Sequence, residues 1–110
     1  MGPNEEDNAQ VLAVMAEQGD DLSRPREIEF AHIFEDPNAA IAFSSWAATQ
    51  GYEADIDHRE DGCTDVIVRY AMIPELGRLT DLELTLAAAA REHGGDADGW
   101  GCFAVPRIHS

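Results

Sequence analysis

The residues able to do chemistry are few and poorly clustered. His32 and His58 alternate on segments that could share one side of a sheet, but a two-histidine metal site needs further ligands at fixed geometry. No such ligands are specified, so packed or rim histidines are expected and no metal is assigned. His58 and Cys63 flank a turn at the spacing of a Cys–His nucleophile pair, yet no third group orients the base. Asp57–Gly62 is acidic like a calcium loop but lacks the EF-hand spacing and its closing glutamate. There is no phosphate-cradling glycine loop, nucleotide fingerprint or Gly-x-Ser-x-Gly elbow. Carboxylates are abundant, but abundance is not acid–base chemistry, which needs environments that drive two pKa values apart. The most unusual local feature is Trp100 between Gly99 and Gly101. Its ring either packs under the end of the sheet or contacts a partner. No catalytic residue and no cofactor are assigned.

Charge narrows the choice of partner. The 110 residues carry 22 acids against 7 bases, all arginine, for a formal charge of −15. Nucleic acid is then a poor direct ligand, since binding it requires neutralising phosphates. An anionic membrane surface is disfavoured for the same reason. A basic protein segment is favoured by complementary fields, although such charge also serves solubility alone. The acids concentrate in two regions. Residues 1–21 hold Glu5, Glu6, Asp7, Glu17, Asp20 and Asp21 without a base, and residues 53–65 hold Glu53, Asp55, Asp57, Glu60, Asp61 and Asp65 against Arg59.

The elements that would position these residues follow from periodicity. The length fits one domain over 1–110 with about two thirds of the unfolded surface buried on folding. The acidic start, Met1–Asp7, argues against a targeting peptide, and no apolar run is long enough to span a membrane. Residues 5–18 predict a helix with Val11, Leu12 and Met15 on one stripe, stopped at Gly19. Residues 27–34 alternate as a strand with Ile28, Phe30, His32 and Phe34 on one face. Asp36-Pro37 opens a helix running to about Gln50, with Ala40, Phe43 and Ala47 toward the core. Strands over 52–58 and 65–72 are joined by a Glu60-Asp61-Gly62 turn. Thr80-Asp81-Leu82-Glu83 fits a capping box, with Leu79 and Leu84 placed for a hydrophobic staple. That predicts a helix from Thr80 to His93. Asp96–Gly99 is expected as a loop, Trp100–Val105 as a last strand, and Pro106 as its end.

The order over 27–105 matches the α+β ferredoxin-like βαββαβ plan, an antiparallel sheet with helices on one face, plus an extra N-terminal helix. Right-handed crossovers then fix the strand order as last, first, third, second. Ile28, Phe30, Phe34, Ala54, Ile56, Val66, Val68 and Tyr70 should face the helices. The opposite face would carry Glu27, Glu29, Glu53, Asp55, Asp57 and Asp65, with Arg69 among them. Neighbouring like charges cost stability. Such a face is solvated, receives something basic, or forms a homodimer over Ile33, Ile67 and Ala71 with acids at the rim. Cys63 and Cys102 are expected as reduced thiols on strands that are not neighbours.

Two stretches resemble a known family. Gly19-Asp20-Asp21-Leu22-Ser23-Arg24-Pro25-Arg26-Glu27-Ile28-Glu29-Phe30 and His93-Gly94-Gly95-Asp96-Ala97-Asp98-Gly99-Trp100-Gly101-Cys102 are similar to the regulator of ribonuclease E activity B (RraB-like) proteins, over about residues 8–105. The resemblance implies a cytoplasmic bacterial protein with a ferredoxin-like core that is not an enzyme. It further implies binding to the basic non-catalytic region of ribonuclease E, which restrains RNA decay. The long acidic tail that some relatives carry is not expected of this chain. The expected partner surface is Asp20, Asp21, Glu27, Glu29, Asp55 and Asp57, with Trp100 as an anchor. The reading from another class is a small dimeric ligand-binding or enzymatic domain on the same fold. A third is a solvated structural domain within a larger assembly.

Overall fold

The computed structural model describes residues 3–103 and 105. It contains α1 (Pro3–Glu17), β1 (Arg26–Phe34), α2 (Pro37–Thr49), β2 (Glu53–His58), β3 (Thr64–Met72), α3 (Leu76–Glu92) and β4 (Asp96–Cys102). The strands form an antiparallel sheet in the order β2-β3-β1-β4, the α+β ferredoxin-like arrangement expected. Alternation in β1 buries Ile28, Phe30, His32 and Phe34 on one face. Val66 and Val68 of β3 lie beside them, fully buried, and α2 closes over the sheet through Ala40, Phe43 and Ala47. Fully burying each of these larger side chains contributes about 1.5–3 kcal/mol.

Helix boundaries follow their caps. Asp36 accepts from the Asn38 amide at 2.9 Å, with Pro37 at the first helical position. For α3 the expected capping box is corrected. Glu75 is the cap, its carboxylate accepting from the amides of Gly77 (3.0 Å) and Arg78 (2.9 Å). Those two bonds hold its pKa below the ordinary glutamate value. The helix therefore begins a turn before Thr80, which is buried within it, and Leu84 is exposed instead of stapled to Leu79. Thr80 and Glu83 instead receive the side-chain amide of Asn8, at 3.1 and 3.0 Å, tying α1 to α3.

The last strand also differs from expectation. Asp96–Gly99 belongs to β4, pairing from Ile33↔Asp96 onward, and the expected end at Pro106 lies outside the described residues. Asp98 and Gly99 stand together opposite Ala31, a bulge in which Gly99 takes a left-handed φ of 101°. The inserted residue shifts the alternation by one. Trp100 thereby pairs with Phe30 on the helix side, and its indole N–H donates to Asn8 Oδ1 at 2.8 Å. Tyr70, expected against the helices, lies on that side in register with Ile28, beside Arg78 and Leu82 of α3, but is 43% exposed and packs edge-on against Tyr52.

Two stability predictions come from this core. A Cβ at Gly95 would fall within the Phe34 ring. Gly95→Ala should lower stability by about 1–3 kcal/mol through overpacking, read as a lower urea midpoint with an unchanged slope. His32 is buried against Phe43, ring centroids 4.9 Å apart, its Nδ1 has no hydrogen-bond partner among the described residues, and burial lowers its pKa below 6.5. Below pH 6.5 the unfolded chain therefore binds more protons than the folded one. This contribution is complete above that value and declines as pH falls toward the folded-state pKa. Urea midpoints should therefore drop as pH falls below about 6.5, the ordinary histidine value. His32→Leu should flatten the drop.

Candidate protein-docking face

The face of the sheet opposite the helices is built by the outward residues of the same strands. Glu27 and Glu29 project from β1, Glu53, Asp55 and Asp57 from β2, and Asp65, Ile67 and Arg69 from β3. Arg69 lies directly between Glu29 and Glu53 in register. Its guanidinium reaches Glu27 (3.5 Å), Glu29 (4.0 Å) and Asp55. Asp57 and Asp65 oppose each other across β2 and β3, a like-charge pair that costs stability unless relieved. Arg59, in the turn between those strands, donates to Asp65 at 2.8 Å and comes within 3.8 Å of Asp98 on β4. The Asp65 hydrogen bond and carboxylate raise the Arg59 pKa further. Named carboxylates outnumber these two guanidinium groups, and Glu27, Glu29 and Asp55 remain well exposed.

The expected partner residues divide by environment. Glu27, Glu29, Asp55 and Asp57 share the open face. Asp20 does not. It is 3% exposed and clasps the Arg26 guanidinium, with both carboxylate oxygens 2.7 Å from Nη1. That carboxylate also accepts from the Val105 amide at 3.2 Å. Placing Asp20 on a contact surface is thus corrected: a buried carboxylate is stable only with its counter-charge, and its oxygens are committed to Arg26. Asp21, half-buried, turns its backbone inward, its carbonyl accepting from Arg26 Nη2 and its amide donating to Val105 O, both at 2.8 Å. Trp100 is half-buried with its N–H engaged by Asn8, so its polar handle serves the fold and only ring area is left for a partner. Asn8 and Arg26 were not singled out in the sequence. The trace for Asn8 is a polar residue four positions before Leu12 on the packed stripe; nothing in the spacing identifies Arg26 as the partner of Asp20.

Two open cavities border β4. One, about 350 Å³, lies on the acidic face among Glu29, Ala31, Ile67 and Asp98. Glycine at 101 leaves that face of β4 without a side chain, and a Cβ there would meet nothing within 4 Å. The other, about 330 Å³, lies between β4 and the Val11, Met15 and Gln18 side of α1.

The groups considered for catalysis are not poised for it. His58 Nδ1 is 3.1 Å from Thr64 Oγ1. Desolvation, then the Asp61 carboxylate, raises the Cys63 thiol pKa, the reverse of nucleophile activation. Burial raises Cys102 likewise, although Arg26 pulls the other way. Both cysteines are free, on segments separated by β1. His32 packs in the core and His58 sits at the rim. Among the described residues no group of three His, Cys, Asp or Glu is arranged to hold a metal, and no helix is long and apolar enough to cross a membrane.

A search among curated proteins finds no match. The family described as regulator of ribonuclease activity B matches residues 5–102, from the first turns of α1 to the last residue of β4. This span takes in the buried Asp20–Arg26 clasp, the acidic face and the bulged Trp100 strand, and the chain belongs to the regulator of ribonuclease activity B family.

Proposed function

We propose that this protein is a non-catalytic regulator that restrains a ribonuclease E-type endoribonuclease by docking a basic segment of that enzyme on its acidic sheet face. The observation that carries the proposal is the array of Glu27 and Glu29 on β1 and Asp55 and Asp57 on β2, on either side of β3 and in excess over Arg59 and Arg69. Family membership supplies the ribonuclease as the regulated enzyme, and the resemblance supplies the basic non-catalytic region as the contact and a bacterial cytoplasm as the setting. Asp21, beside the clasp, extends the acidic surface at the α1–β1 loop, and Trp100 offers ring area on the helix side of β4. RNA itself is not the ligand, because the face repels phosphate.

Each exposed ion pair contributes only about 0–1 kcal/mol. Several must act together, and their main effects are on encounter rate and on salt dependence. A small-ligand site would instead call for an enclosed apolar cavity with converging polar groups; the cavities beside β4 are open to solvent.

Asp55→Lys combined with Asp57→Lys tests the face. Both side chains are exposed on β2, so melting should change by no more than a few degrees while Arg69 retains Glu27 and Glu29. Affinity for the basic non-catalytic region of the host's ribonuclease E, measured by calorimetry at low salt, should fall at least about tenfold. The wild-type interaction should weaken steeply as salt is raised. Unchanged affinity in the double variant would remove this face from the interaction.

A further inference from the structure

The sheet ends at β4, but the helical layer does not. β1 covers the inner edge of β4, and among the described residues its outer edge has no partner strand. Only past Cys102 does the chain turn to the α1–β1 loop, where the Asp21 amide meets Val105 O. Above that edge lies α1. It packs on α3, which in turn packs over β1 and β4, and Asn8 pins it to Trp100. Its Val11 and Val14 are 45% and 49% exposed, and Val11 with Met15 roofs the cavity beside Trp100 and Gly101. The second cavity lies on the other side of the same strand, against Glu29 and Asp98. The β2 edge lies at the opposite end of the sheet from α1.

We infer that β4 receives a fifth strand, an extended segment of a basic partner in which apolar and cationic side chains alternate. An added strand lies about 4.8 Å from its neighbour and sends successive side chains to opposite faces. One set enters the cavity under Val11 and Met15 and is apolar. The other set emerges beside Glu29 and Asp98 and is lysine or arginine. Gly99 and Gly101 keep the approach clear, since a Cβ at either would meet nothing within 4 Å. A second copy of this chain fits poorly, because edge-to-edge pairing would set two acidic strands, each with Asp96 and Asp98 and no basic residue, against each other. The inference rests on the acidic-face docking proposed above and specifies how the bound segment lies.

Amide hydrogen exchange, followed by NMR on the full chain with and without the basic non-catalytic region of the host's ribonuclease E, reads this directly. The β4 amides pointing away from β1 should slow at least about tenfold in the complex. The protected stretch of the segment should show alternating apolar and basic residues. Val11→Lys, at an exposed site, should weaken binding about tenfold without altering melting. A segment that binds wild type while β4 exchanges as in the free protein overturns strand addition and leaves the acidic-face reading standing. Undiminished binding by the Val11→Lys protein also overturns it. A segment that does not bind wild type at all removes both. Protection of β4 that grows with the protein's own concentration, no segment being present, identifies a second copy as the occupant and overturns the inference.

Discussion

The bulge at Asp98-Gly99 is the constraint on which most of the architecture depends. A regular β4 would place Trp100 opposite Glu29, on the acidic face and away from the helices. One additional residue, tolerated because Gly99 accepts a φ of 101°, sets Trp100 opposite Phe30 instead. The indole then meets Asn8, and Asn8 in turn engages Thr80 and Glu83. A buried amide left without these partners would cost about 1–3 kcal/mol, so the three contacts select one position for α1. The same register leaves Gly101 on the open face, which creates the cavity beside Glu29. A single local insertion therefore ties α1 to the sheet, packs Trp100 against the core and clears the outer face.

The charge distribution shows a corresponding division of labour. Inside, Arg26 and Asp20 neutralise each other where the chain enters β1, and the loop carbonyls of Asp21 and Arg24 accept from Nη2, while the buried Nε has no partner among the described residues. Removing one member of such a buried pair costs about 3–5 kcal/mol, because the other is left charged and dry. Outside, Arg69 and Arg59 each hold several carboxylates at once. Their positions match the places where strand pairing forces acids together: Arg69 between Glu29 and Glu53, and Arg59 beside the Asp57–Asp65 opposition. The repulsion is thereby contained without being cancelled, and a net negative surface remains on a folded sheet.

Periodicity is legible in the sheet because its two central strands, β1 and β3, each have one dry face. Ile28, Phe30, His32 and Phe34 alternate cleanly, and the alternation fixes which face must bear the acids. The Asp36-Pro37 start of α2 was equally readable, since a short polar side chain followed by proline has few other uses. The start of α3 was not. Thr80 and Glu83 have capping-box spacing, but Glu75 reaches the first free amides earlier, and the pair answers Asn8 from a distant part of the chain. The bulge was hidden for a similar reason: Asp-Ala-Asp-Gly has turn composition, and only pairing with β1 makes it strand. The burial of Asp20 is not legible in the sequence, because charge ordinarily signals exposure and the arginine that buries it stands six residues later with no pattern to announce it.

Acidity and edge geometry solve different parts of recognition. Exposed carboxylates attract many basic chains and discriminate little among them, since screened point charges carry scant shape information. An open strand edge supplies directional main-chain hydrogen bonds but reads side chains only where pockets flank it. At β4 the two coincide: an apolar roof from α1 on one side and Glu29 with Asp98 on the other. A segment must be extended, basic on one face and apolar on the other to satisfy both. The selectivity of such a surface comes from that conjunction, which depends on Asn8 and the buried Leu12 holding α1 beside the edge of the sheet.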